Sequence, residues 1–475
     1  MNPYFSLETW RDGFPRRSYA RLDDIEPVAP TGEDPLTFTF DAVDAGWRGF
    51  GSDGLFNPGS DTSMMFAETY WKHRFDGKGR DDPDPFDEIP LYRVEISRFP
   101  WEELYDDFPR TEEPWITLTL TDRDTGTPAT VYGGLFAPPV NAFVEAVAEA
   151  PAPSSLLSAL FDMEKWPDAT NDDIVQALAG RCALAAMACF DIGQGLASAL
   201  LCPCGYPVYY FDVGCGSGRN APTSPPQVDF CTCDSPPVIL SHWDTDHWAG
   251  ARRQPALLGL TWIVPRQTIS TSHALIGSDI LKAGGRLLVV ANGAPPLTWG
   301  TPGQTLDLRR CSGPGRNHSG LALVVTNNAN KATWVLTGDA GYNFITHHPP
   351  PATIAAMVAP HHGADMGPKS TPFMRSGQSY ARLLYSFGPG NNHGPKKPPV
   401  QHPTPAATLA HTSRNWGHGA WPAATPASCV AGADVLATAE HPGSHLGGVG
   451  VTWNGSNAAL GHLASCPHVM PISQW

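Results

Sequence analysis

The segment His242-Trp243-Asp244-Thr245-Asp246-His247 places two histidines and two aspartates within six residues, directly after the apolar run Val238-Ile239-Leu240. No helix or strand turns four side chains at this spacing toward one point, whereas a loop leaving the end of a buried strand does. Neutral imidazole and carboxylate are ligands of hard or borderline divalent cations. A solvated surface loop would account for this segment alone, but not for the pieces that follow it.

Those pieces share one design. Thr337-Gly338-Asp339-Ala340 follows the strand-like Trp334-Val335-Leu336, and Ala359-Pro360-His361-His362-Gly363-Ala364 follows an apolar run at 354–358. Upstream, Phe190-Asp191-Ile192-Gly193-Gln194-Gly195 and Phe211-Asp212-Val213-Gly214-Cys215-Gly216 each end in Asp and a Gly-rich turn. Ligands presented from successive strand ends on one sheet edge predict a two-metal site. Further strands are expected at 188–192, 208–213, 238–240, 287–290, 321–326 and 333–336, in an alternation that predicts an α/β sandwich. A Pro/Gly/Lys-rich stretch, 388–405, reads as loop.

Length and charge divide the chain. At 475 residues it has room for two or three domains. Residues 1–180 hold 14 Lys+Arg against 34 Asp+Glu, a net of −20, and residues 181–475 hold 17 against 12, a net of +5. Of 17 histidines, only His73 precedes residue 180. We therefore expect a mixed α/β accessory domain at 1–180 with an acidic surface, and a catalytic domain at 181–475. In the front part, strands are expected at 36–40, 91–96 and 115–120, helices at 140–149, 154–163 and 171–179, and a solvated acidic loop at 77–87. No apolar stretch of about 18 residues offers a membrane span, and the start lacks the pattern of a signal peptide. A cytoplasmic location with no membrane partner is the expectation. The ten cysteines are then expected as thiols. Cys202-Pro203-Cys204 and Cys231-Thr232-Cys233 could instead meet as a four-thiolate zinc site.

In its ordered motifs the chain resembles the metallo-β-lactamase fold, an αββα sandwich whose signature is HxHxDH, then a later Asp and a later His. More narrowly it is similar to the soluble nuclease domain of the bacterial competence (DNA-uptake) channel protein ComEC. "DVGQG" is matched by Asp191–Gly195, "SHxDxDHxxG" by Ser241–Gly250, "LTGD" by Leu336–Asp339, and "PHHGS" by Pro360–Ala364 with Ala in place of Ser. "SxGxxN…HP" is matched by Ser386, Gly388, Asn391 or Asn392, His402 and Pro403, and the closing strand by Thr438–Val451. The likeness covers about residues 187–455. Two departures stand out: the chain has no membrane span, and its insert before His402 is long.

The resemblance implies that His242 and Asp244 hold one metal, that Asp246 and His247 hold or adjoin a second, and that Asp339 bridges both. His361 would complete the second position, with His362 as the alternative. His318 sits near where the wider superfamily supplies a third histidine. Asp244 replaces the usual histidine, and an oxygen ligand hardens the site, from Zn²⁺ toward Mn²⁺ or Mg²⁺. Two divalent cations are the implied cofactors, Mn²⁺ or Zn²⁺ ahead of Mg²⁺. Asp246 would orient the attacking water and His402 would supply a proton, with Ser386, Asn391 and Asn317 as substrate contacts.

Arg252-Arg253, Arg309-Arg310, Arg316 and Lys396-Lys397 all fall in segments expected to flank the site's mouth. Such groups neutralise phosphates. The expected function is a nuclease or phosphodiesterase acting on DNA. The rivals are a small-molecule hydrolase (a lactonase or a cyclic-nucleotide phosphodiesterase) and a degenerate, non-catalytic binding module. The acidic front is expected to restrain access by mimicking a polyanion, or to recruit a protein partner.

Overall fold

Six strands within the first 150 positions, some of them buried along nearly their whole length, close into a barrel. The computed structural model describes residues 1–26, 37–80, 83–97, 115–226, 228–376, 381–394, 400–417, 434–440 and 444–453. Two compact units are present: Met1–Trp166 with Thr268–Gly284 and His393–Val400, and Pro167–Gln267 with Gly285–Asn392 and Gln401–Trp475.

The first unit is built on β1 (Arg17–Glu26), β2 (Thr37–Asp44), β3 (Leu91–Ser97), β4 (Ile116–Thr121), β5 (Thr127–Tyr132) and β6 (Val140–Glu149). They close in the order β1-β2-β3-β5-β6-β4. The front unit is thus a six-stranded barrel with helices rather than an undifferentiated α/β layer. Residues 140–149 were expected to be helical and are instead β6. Ala and Glu favour a helix there, but Val140, Val144 and the buried Ala142 fit the alternation of a strand, and pairing with β4 and β5 decides the outcome. The helices Pro151–Phe161 and Asn171–Leu178 form as their start signals predict, the second with Thr170 accepting from the Asp173 amide at 3.1 Å.

Two buried polar clusters occupy this unit. Asp84, expected in a solvated loop, is buried beside Arg74 (3.0 Å), with Tyr70 and Ser278 donating to it at 3.0 and 2.9 Å. Asp81 and Asp82 of the same stretch lie outside the described residues. In the other cluster, Arg93 pairs with Asp23 at 2.7 Å and lies 3.6 Å from Asp41. The Ser270 hydroxyl lies 2.6 Å from Asp41 and 3.0 Å from Asp23, and the Ser272 amide donates to Asp41 at 2.8 Å. Burial, reinforced by Asp23, pushes the Asp41 carboxyl up, and Arg93 opposes it. The Tyr4 hydroxyl is buried without a hydrogen-bond partner.

The second unit is a sandwich of two seven-stranded sheets. One comprises β7 (Ala186–Cys189), β8 (Ala197–Leu201), β9 (Pro207–Val213), β10 (Val238–Ile239), β11 (Thr261–Pro265), β12 (Arg286–Val290) and the late β22 (Val449–Thr452). The other comprises β13 (Leu297–Thr301), β14 (Gln304–Arg310), β15 (Leu321–Asn327), β16 (Thr333–Leu336), β17 (Ile354–Val358), β18 (Arg382–Tyr385) and β19 (Val435–Ala437). A small ribbon, β20 (Ala439–Glu440) with β21 (Ser444–His445), precedes β22. The orders are β12-β11-β10-β9-β8-β7-β22 and β13-β14-β15-β16-β17-β18-β19. Each sheet is parallel in one half (β9 to β12, and β16 to β19) and antiparallel in the other. One core fills the space between them, with Leu200, Phe211, Ile239 and Ile263 from the first sheet against Leu306, Leu323 and Trp334 from the second. Burying each of these side chains contributes about 1.5–3 kcal/mol.

Cys202 and Cys204 form a disulfide across the β8–β9 turn, which corrects the expectation of free thiols or a zinc site there. Cys231 and Cys233 remain thiols. Among the described residues, no helix is long and apolar enough to cross a membrane.

Candidate metal centre

Five parallel strands end at one place. β9 and β10 come from the first sheet, and β16, β17 and β18 from the second. The loops beyond them carry Asp212, the His242–His247 segment, Asp339, the His361-His362 pair and Ser386. Strand C-termini of α/β sheets gather ligands in this way because the chain must leave the sheet there.

Asp212 organises the centre. It is fully buried in a left-handed turn (φ 61°) at the end of β9. Its carboxylate accepts from the Ser241 amide at 2.6 Å, the Ser241 hydroxyl at 2.7 Å and His247 Nδ1 at 2.8 Å. With its proton given to Asp212, the Ser241 hydroxyl accepts from His242 Nδ1 at 2.9 Å. His362 Nδ1 donates to the Ser386 carbonyl at 2.9 Å. Each of the three histidines is thus held by Nδ1, which turns its Nε2 toward the carboxylates Asp244, Asp246 and Asp339, the edge a metal ligand presents. Two glycines permit the approach. A Cβ on Gly214 would lie 1.6 Å from the Asp246 carbonyl, and one on Gly338 (φ +55°) would lie 2.4 Å from Ser241.

Asp339 stands between two groups. Its Oδ1 lies 3.2 Å from His247 Nε2 and 3.7 Å from His362 Nε2, and its Oδ2 lies 3.5 Å from His361 Nε2 and 3.7 Å from His242 Nε2. His362 Nε2 also lies 3.2 Å from Asp246 Oδ2. The sequence reading ranked His361 above His362 for the group with Asp246 and His247; the structure places His362 there and turns His361 toward the other oxygen of Asp339. Adjacent residues reach separate positions because both adopt left-handed backbone (φ 48° and 53°). That conformation costs roughly 1–2 kcal/mol per residue and marks a turn imposed by its surroundings.

The charges interlock. Burial would raise the Asp339 carboxyl, but His247, His361, His362 and His242 hold it well below the usual range. Burial would lower His247, and Asp339, Asp212 and Asp246 raise it well above an ordinary imidazole. Burial is likewise outweighed at Asp246, where His247 and His362 lower the carboxyl. His318, stacked on Phe344, is pushed down to about 4 by burial and by His361.

Whether these residues suit a cation is answered by their unused atoms. His247 Nε2, His362 Nε2 and Asp339 Oδ1 are buried and have no hydrogen-bond partner. Leaving such groups unsatisfied costs roughly 1–3 kcal/mol each. Their ligand atoms, with those of His242 and Asp246, form two groups lying within 4.8 Å: His242, His247 and Asp339, and Asp246, His247 and His362. Imidazole nitrogen with carboxylate oxygen is a donor set for Zn²⁺ or Mn²⁺. The residues fit.

The first position differs. His242 Nε2 donates to Asp244 Oδ2 at 3.0 Å, while Arg316 Nε donates to Asp244 Oδ1. Despite burial, Arg316 and then His242 hold the Asp244 carboxyl far below its usual range.

The remaining predicted residues divide by what their polar atoms already do. His402 stands edge-on to His361, ring centroids 5.5 Å apart. Asn391, expected to contact phosphate, is fully buried: it accepts from the His402 amide (2.8 Å) and donates to the His402 carbonyl (2.6 Å) and the Gly388 carbonyl (2.9 Å). It positions His402 instead. Ser386 donates to the Gly195 carbonyl at 2.7 Å and is also buried. Asn317 is partly exposed beside Arg316. Of the described residues expected to form a basic rim, Arg316 stands at Asp244 and the others are engaged elsewhere. Arg252 and Arg310 are buried, Arg253 donates to the Pro225 carbonyl, and Arg309 pairs with Asp307 at 3.2 Å. Lys396 and Lys397 lie outside the described residues. Sequence reading missed the roles of Asp212 and Ser241, although Phe211-Asp212-Val213-Gly214 carries the same strand-end Asp-Gly signal as Thr337-Gly338-Asp339.

No known family profile matches the sequence, and no curated protein matches it. Among solved structures, the chain is similar to an isothiocyanate hydrolase from Delia radicum gut bacteria at 16% identity, covering 54% of this chain and 97% of that one, with a TM-score of 0.29. It is also similar to a Cronobacter sakazakii metallo-β-lactamase with a HARLDQ motif at 16% identity, covering 38% and 67%, with a TM-score of 0.21. Likenesses this distant carry no argument beyond the strand order and site geometry already described.

Proposed function

We propose that the second unit is a metal-dependent hydrolase acting on phosphodiesters, with DNA as the first substrate to test. The observation that carries this is the set of buried atoms without a hydrogen bond on His247, His362 and Asp339, the two imidazoles aimed by Asp212 and the Ser386 carbonyl. His242, Asp244, Asp246, His247, His361, His362 and Asp339 would hold two divalent cations, which supply Lewis acidity and lower the pKa of water. The chain's own residues do the rest. Asp246 stays anionic beside His247 and His362 and orients the attacking water. His402, gripped on both sides of its backbone by Asn391, is the proton donor to the leaving oxygen. Arg316, which donates to Asp244 at the edge of the centre, suits a phosphate oxygen.

A second reading, a hydrolase of small molecules such as a lactone or a cyclic nucleotide, is favoured by the burial of Arg252 and Arg310, which takes them from the surface a DNA backbone would touch. The test is cleavage of single-stranded, linear and supercoiled DNA, bis-p-nitrophenyl phosphate, a cyclic nucleotide and a lactone. Each is run with Mn²⁺, Zn²⁺ or Mg²⁺ beside an Asp246→Ala/His247→Ala control. Metal-dependent DNA cutting that the control abolishes is expected. Turnover of the small esters alone moves the assignment to the second reading, and metal-bound protein inactive on all of them overturns both.

A further inference from the structure

The two candidate metal positions are not equivalent, and the difference lies in one arginine. In the second position, His247 Nε2, His362 Nε2 and Asp339 Oδ1 are buried, face one another or Asp246, and form no hydrogen bond. In the first, both oxygens of Asp244 are taken, one facing His242 Nε2 at 3.0 Å and the other receiving the Arg316 guanidinium. A cation entering the second position meets ligands already presented. A cation entering the first must displace a guanidinium from its carboxylate.

We propose that Arg316 is an exchangeable counter-ion: it occupies Asp244 until an anionic substrate group takes its guanidinium, and the freed carboxylate then holds the second cation. The inference rests on the reading of the site as a metal-dependent phosphodiester hydrolase. It names the substrate's phosphate as the agent that completes the site.

The exchange is balanced in charge. Arg316 trades one anion for another, and Asp244 trades one cation for another, so no charge is left uncompensated in a partly buried place. A guanidinium grips phosphate with the same fork that grips carboxylate. The pair is within reach of solvent, with Arg316 12% and Asp244 15% exposed. Arg316 sits on a single turn, Gly315–His318, after the exposed Pro314 and Gly315. A Cβ on Gly315 would meet nothing within 4 Å, so the turn has open space beside it.

The test is Mn²⁺ binding to the full chain, followed by the loss of the free-ion electron paramagnetic resonance signal, with and without methylphosphonate as a non-hydrolysable phosphate probe. Wild type is expected to bind one ion tightly and a second about tenfold or more weakly, the scale on which neighbours of a ligand tune affinity. Methylphosphonate is expected to tighten the second ion. Arg316→Gln should tighten it without the probe and remove the probe's effect, while Asp244→Asn should lose it under both conditions. Unfolding curves of both variants establish that they are folded. Two equal ions in wild type, an unmoved second ion in Arg316→Gln, or no response to methylphosphonate overturns the exchange and leaves the hydrolase reading standing. No bound Mn²⁺ or Zn²⁺ at all overturns both.

Discussion

Two clusters in this protein are built from the same materials. In the barrel unit, Asp23, Asp41, Ser270 and Arg93 lie buried together; in the sandwich, Asp212, Asp339, Ser241 and three histidines do the same. The barrel cluster carries its own cation, with Arg93 2.7 Å from Asp23 and Ser270 and Ser272 directed at Asp41. The sandwich cluster directs its nitrogens and oxygens at one another and leaves three of them without hydrogen bonds. Composition does not separate a structural polar core from a binding site. The accounting of counter-charge does: Asp41 Oδ1 and the Tyr4 hydroxyl are also buried without hydrogen bonds, but the barrel cluster holds the permanent cation Arg93 against its carboxylates.

That comparison breaks or sharpens under mutation. The largest effect on stability is expected at Arg93→Met, which strands Asp23 and Asp41 in the barrel and costs about 3–5 kcal/mol in denaturant unfolding. A chelator should leave that loss unchanged. The sandwich should behave in the opposite way: withdrawing metal from wild type lowers its stability by about 4 kcal/mol when the ion was near a thousandfold above its Kd. In Asp246→Ala/His247→Ala the chelator should do nothing. If the chelator shifts neither protein, the two clusters are alike and the distinction fails.

Finer tests address the support of each ligand. Asp212→Asn removes the acceptor that holds His247 and Ser241, so metal affinity should fall about 10–100-fold in equilibrium dialysis. Asn391→Ala should cost about 1–2 kcal/mol of stability through its lost hydrogen bonds and reduce kcat more than KM, since it positions His402. At the small end, Tyr4→Phe deletes a buried hydroxyl that has no partner and is expected to change stability by less than about 1 kcal/mol. A larger loss would mean that this hydroxyl supports the barrel cluster.

What the sequence made legible were strand ends. An apolar run closing in Asp or His is a local signal, and Asp212, His242, His247, Asp339 and His362 all announce themselves in this way. What it concealed depends on partners distant along the chain. Residues 140–149 carry a helix-favouring composition, and only the neighbours β4 and β5 make them a strand. Arg252 and Arg310 look like a basic rim until burial is known. Asn391 looks like a substrate contact until the three hydrogen bonds of its side chain are found on the backbone of His402 and Gly388. The turn that sends His361 and His362 to opposite sides of Asp339 has no signature beyond Pro360 and Gly363.

One connection in the sandwich bears on how the protein is made. The first strand of its sheet, β7, is flanked by the last, β22, and Asp191 just beyond β7 accepts from His445 and from the Gly447 amide. During synthesis the N-terminal parts of a chain emerge first and begin to fold as units. Here β7 waits on the ribosome with one edge uncovered until more than 250 further residues have been translated. Throughout that interval the nascent chain exposes an unpaired strand edge, the kind of surface that chaperones cover.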